Sequence, residues 1–149
     1  MTESNHRIKR PRGFKTMAIL GYITQGFTFI IYPFFIAFEI SEGQIFVAGI
    51  SLIWLLLAPA VIVAIFMMIE RKSNTALNLI RIYLWGNIPL SLVGGIADVA
   101  DLVEPIESID SIEVGSSVIA TILGIVVAVP IALYWQQKSH SDYLKSFNH

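Results

Sequence analysis

The chain has 149 residues, 55 % of them apolar and only 14 % charged, with a formal net charge of −1 and a mean hydropathy of +0.70. Globular domains carry about 25 % charged residues, so this balance excludes an ordinary soluble domain. Cysteine is absent, which removes disulfides and thiolate metal sites.

Residues 7–15, RIKRPRGFK, form a basic stretch with one aromatic near the N-terminus. Such a stretch suits anionic lipid headgroups, and without a fold of its own it makes no groove reader, so nucleic acid is not an expected partner. The next block, 17–38, holds no charge. It exceeds the roughly 7–15 apolar residues of a signal core and no Ala-x-Ala site follows, so it is expected to be a retained anchor. Residues 45–69 and 114–137 are also free of charge. A bilayer core of about 30 Å takes roughly 20 apolar residues as helix, so each block is long enough to span. A weaker block, 77–97, carries Asn78, Arg81, Asn87 and Pro89 and completes a count of four spans.

Charge then sets the expected topology. Arg7, Lys9, Arg10, Arg12 and Lys15 precede the first span, Arg71, Lys72 and Arg81 follow the second, and Lys138 and Lys145 follow the fourth. Glu39 and Glu42 fall in the first intervening loop, and Asp98, Asp101, Glu104, Glu107, Asp110 and Glu113 in the third. An even number of spans puts every basic segment on one side, and the positive-inside rule makes that side cytoplasmic. The acidic run lacks the alternate-position ligands and glycine turn of a calcium loop, so it is expected to be a solvated external loop, with a short helix starting at Pro105.

Within the spans, Ser116, Ala120, Gly124, Ala128 and Ala132 are small residues spaced by four, a pattern that lets a neighbouring backbone approach closely. They are the expected helix-packing residues of the fourth span, inside the bundle or toward a partner. Gln25 and Asn87 are amides at similar depth; unpaired amides are costly in hydrocarbon, so they are expected to face inward and to bond each other. Arg81 is expected to snorkel to the surface toward Glu70, or to contact an anionic substrate. Each span holds one proline (Pro33, Pro59, Pro89, Pro130), and the third, with Gly86, Gly94 and Gly95 besides, is the expected place for a break.

The ending YWQQKSHSDYLKSF, 134–147, resembles the ends of small four-span bacterial membrane protein families of unknown function, which close with a tyrosine-rich helix end, a Lys-Ser and a Lys-x-Phe-like tail. Lys138, Ser139, Lys145 and Phe147 carry the likeness. It implies the inner membrane and a helical bundle, and brings no functional residue.

The expectation is therefore an all-α, integral membrane four-helix bundle with both termini cytoplasmic. Its spans cover about 17–38, 45–69, 77–97 and 116–135, its acidic external loop 98–115, and its tails 1–16 and 138–149. No catalytic set, cofactor site or metal cluster is visible in the sequence. The expected function is non-enzymatic, as an accessory or partner subunit in the lipid bilayer, with a second copy or another membrane protein contacting span 4. The alternative is an oligomeric small transporter or channel.

Overall fold

A computed structural model describes residues 8–103 and 111–147, without the side chains of 98, 100–103 and 111–117. It is all-helical: α1 Phe14–Ser41, α2 Ile45–Glu70, α3 Asn74–Val103, α4 Ser111–Gln136 and α5 Lys138–Lys145. Stretches of α1 to α4 are long and apolar enough to cross a membrane. At about 1.5 Å per residue, the 28 residues of α1 reach about 42 Å, more than the bilayer core. The helices outrun the charge-free blocks at both acidic loops. Glu39 lies in the last turn of α1, Asp98 and Asp101 continue α3, and Glu113 lies in α4. Glu104, Glu107 and Asp110, with the helix expected at Pro105, lie outside the described residues.

Helix ends follow local chemistry. After Ser41 the Glu42 amide donates to the Phe38 carbonyl at 3.0 Å and the Gly43 amide to Ile40 at 3.1 Å. Gly43 then turns the chain at φ 80°, a left-handed conformation that costs glycine nothing. The four prolines lie inside helices that continue past them. The break expected in the third span is absent: α3 runs unbroken from Asn74 to Val103. A proline removes one backbone hydrogen bond, and Gly94 and Gly95 are supported from outside by Ile50 and Thr121.

The chain packs sequentially, α1 on α2, α2 on α3 and α3 on α4, whereas α1 and α4 make little direct contact. α2 lies in the middle and buries Ala48, Ser51, Trp54, Ala58, Val61, Ile65 and Met68, one face at helical spacing. The core gathers where the start of α1, the end of α4 and α5 meet, with Phe14, Ala18, Ile65, Met68, Leu77, Trp135, Tyr143 and Leu144 all buried. α5 seals this end. Its Leu144 and His140 are fully covered, so the segment expected as a polar tail is a short amphipathic helix packed under the bundle.

Candidate functional site: two clefts along an open seam

Along the side where α4 rests on α3 and does not close on α1 lie two clefts, besides a smaller one between α2 and α3. The cleft nearer the termini, about 500 Å³, is bounded by all four, with Gln25 of α1, Tyr83 and Asn87 of α3 and Gly124 of α4 in its wall. The distal cleft, also about 500 Å³, is lined by Tyr32, Phe35 and Glu39 of α1, Ser51 and Trp54 of α2 and Gly124 of α4, among others. Gly124 borders both.

The interior face of α1 explains what these clefts contain. Residues 18, 25, 32 and 39 recur every seven positions, close to two full turns, and so share one side of the helix. Along that side the residues change from Ala18 to Gln25, Tyr32 and Glu39. Gln25 is buried, and its Nε2 donates to the Tyr83 hydroxyl at 3.0 Å. Its Oε1 is buried without a hydrogen-bond partner among the described residues. Rotating the amide by half a turn would exchange donor for acceptor and leave one end unpaired all the same. The expected Gln25–Asn87 bond is not formed. Tyr83, one turn earlier on α3, takes the amide, and Asn87 Oδ1 accepts from Ser91 at 3.5 Å. Tyr83 in turn meets Trp54 edge-on, with centroids 5.9 Å apart.

Glu39 is the residue that sequence reasoning misplaced. A charge at the end of an apolar block marks a loop by composition, but helical side chains lean toward the N-terminus of their helix. On α1 that direction is back into the span. The carboxylate reaches α2, where Oε1 accepts from the Ser51 hydroxyl at 2.9 Å. Oε2 is buried with no hydrogen-bond partner among the described residues. Ser51 lies twelve positions on across the hairpin, a pairing that only the α1–α2 register reveals.

Arg81 does not turn to Glu70. Its Nε donates to the Trp135 carbonyl at 2.8 Å, Nη2 to the Gln137 carbonyl at 3.4 Å, and Nη1 to Asn78 Oδ1 at 3.2 Å. The guanidinium thus caps the C-terminus of α4, where unpaired carbonyls and the negative end of the helix dipole favour a cation. That use accounts for Arg81 without an anionic ligand.

The small residues of α4 separate into two groups. Ala132 is buried and Ala128 half-buried, whereas Ala120 and Gly124 are exposed and a Cβ on Gly124 would meet nothing within 4 Å. The Ser116 side chain lies outside the described residues. Geometry explains the division: each step of four residues overshoots a turn by about 40°, so such a stripe winds round its helix and does not stay on one face. The close α3–α4 approach is instead at Gly95, where a Cβ would collide with the Thr121 side chain.

The sealed end is an aromatic assembly around Phe14. Its ring lies 5.4 Å from Trp135, 5.4 Å from Tyr143 and 5.9 Å from His140. Tyr134 donates to the Arg12 carbonyl at 2.7 Å and Arg10 to the Tyr143 hydroxyl at 3.2 Å, so the N-terminal segment is tied into the same cluster. His140 Nδ1 faces the Gln137 carbonyl at 3.3 Å. Burial pushes its pKa below the ordinary value; the Gln137 carbonyl opposes this and the Arg81 charge adds to it. The imidazole is therefore held neutral and serves packing. Among the described residues no group of three or more His, Asp or Glu is placed to hold a metal ion. No protein-family model, no curated protein and no solved structure matches the chain.

Proposed function

We propose that this chain is a non-enzymatic membrane protein that works as a partner subunit, receiving a transmembrane helix of another protein along the seam between α1 and α4. One observation carries the reading: Ala120 and Gly124, small enough for backbone approach, face a seam that the chain's own helices do not close. Among the described residues the clefts hold one carboxylate, Glu39, bonded to the Ser51 hydroxyl, beside neutral amides and hydroxyls, and no His, Lys or Asp lines them to complete a catalytic set. A photoreactive residue at position 124 in native membranes should form an adduct with one identified membrane protein that also co-purifies with the untreated chain. The lipid-facing position 133 should give none. Absence of an adduct at 124, or equal adducts at both positions, contradicts the proposal.

The runner-up is an oligomeric carrier, favoured by the two clefts meeting at Gly124. An adduct of the chain with itself, together with flux through reconstituted vesicles, would favour it.

The same reading puts both termini on the cytoplasmic face of a bacterial inner membrane, supported by the gathering of every described Lys and Arg in segments at one end of the four helices. A periplasm-dependent reporter should be silent after His149 and active when inserted near Ser108; the reverse pattern would overturn the orientation.

A further inference from the structure

We propose that the distal cleft is a binding site for an organic ammonium or similarly soft monovalent cation, with Glu39 as its counter-ion. The inference concerns a ligand inside this chain and stands whether or not a partner helix occupies the seam.

Glu39 is turned into the membrane half of its helix, and only one of its two oxygens is hydrogen-bonded. A carboxylate in such surroundings needs a cation, since desolvation without pairing is expensive. Among the described residues the chain supplies none at that end: their Lys and Arg belong to residues 9–15, 71–81 or 138–145. All three groups lie at the terminal end of the helices, the far end of α1 from Glu39.

The cleft's walls then select the kind of cation. A calcium ion takes about 6–8 oxygen ligands, and Glu39 is a single carboxylate with one hydroxyl bonded to it. The space, about 500 Å³, suits a small organic molecule better than a bare ion. Aromatic rings border it. Tyr32 and Phe35 stand on the same side of α1 as Glu39, with ring centroids 6.1 Å apart at 73°, and Trp54 of α2 lines the same cleft. Aromatic faces attract weakly hydrated cations and stabilise them most where water is excluded. A single negative charge among aromatic rings is complementary to one diffuse positive charge carried on an apolar body.

The probe is tetraphenylphosphonium, added to the full chain in zwitterionic lipid nanodiscs, with tetraphenylborate as the control of like shape and opposite charge. Equilibrium dialysis should show saturable binding of about one phosphonium per chain and none for the borate. Glu39→Gln should weaken binding at least about tenfold, as loss of a charge-assisted contact does. Phe35→Leu, at a half-exposed ring whose loss leaves the core intact, should weaken it about two- to fivefold. Equal binding of borate, no saturable binding by the wild-type chain, or undiminished affinity in Glu39→Gln would overturn the site. Should Glu39→Gln fail to fold, unchanged affinity in Phe35→Leu would overturn it instead.

Discussion

The terminal half of the bundle and the distal half are built from the same four long helices, yet they are finished differently. At the terminal end, Phe14 from one extreme of the chain is enclosed by Trp135, His140 and Tyr143 from the other, and Arg81 caps the helix between them. At the distal end the inward face of α1 carries Tyr32 and Glu39, and α4 presents Ala120 and Gly124 to an unfilled seam. Lipid gives no hydrophobic drive between helices, so a membrane bundle closes only where packing, small residues and hydrogen bonds are provided. This chain concentrates them at the terminal end, while the distal end keeps the Ser51–Glu39 hydrogen bond and the Gly95–Thr121 approach beside an open cleft.

The contrast can be broken first at its sealed end. Leu144 is fully buried in a helix outside the spans, so Leu144→Ala should cost about 2–4 kcal/mol, measured by unfolding in mixed micelles. The next test separates two glycines. Gly95→Leu drives a side chain into Thr121 and should cost about 1–3 kcal/mol, whereas Gly124→Leu should change stability by less than about 0.5 kcal/mol. An equal cost for both would mean that the seam is closed in the folded chain. Arg81→Gln leaves the carbonyls of Trp135 and Gln137 without their cap and should cost about 1 kcal/mol.

The smallest expected effect is a pH dependence from His140. An unfolded imidazole takes up its proton near about pH 6.5, while the buried one still excludes it. Protons therefore favour the unfolded chain over that window. The His140 contribution should be complete above about pH 6.5 and fall as the medium is acidified through the lower, folded pKa. Comparing unfolding at several pH values should show this component in the wild-type chain and not in His140→Phe.

Legibility in the sequence followed the same division. Long charge-free blocks announce membrane-crossing helices because the signal extends over twenty or so residues and depends on no partner. α5 was hidden because eight mostly polar residues make a marginal helix by themselves. Its buried face exists only against distant residues, Phe14 more than a hundred positions away and Leu77 of α3 among them. Glu39 was read as a loop residue because composition sees where a charge falls and not where its side chain leans. Gln25 was rightly singled out as polar and inward, but its partner depends on the rotation of α3, which sets Tyr83 and not Asn87 opposite. The spacing of small residues in α4 was visible, while the winding of that stripe around the helix divided it between a packed and an open face.

The asymmetry itself is tested most directly along α4. The chain has no native cysteine, so Ala120→Cys, Gly124→Cys, Ala128→Cys and Ala132→Cys each introduce the sole thiol. Their reaction rates with a small lipid-soluble maleimide, measured on the purified chain in nanodiscs, report closure position by position. Labelling should be fast at 120 and 124, slower at 128 and blocked at 132, in the order of their burial. Uniform protection along the helix, or a gradient running the other way, would contradict the asymmetry.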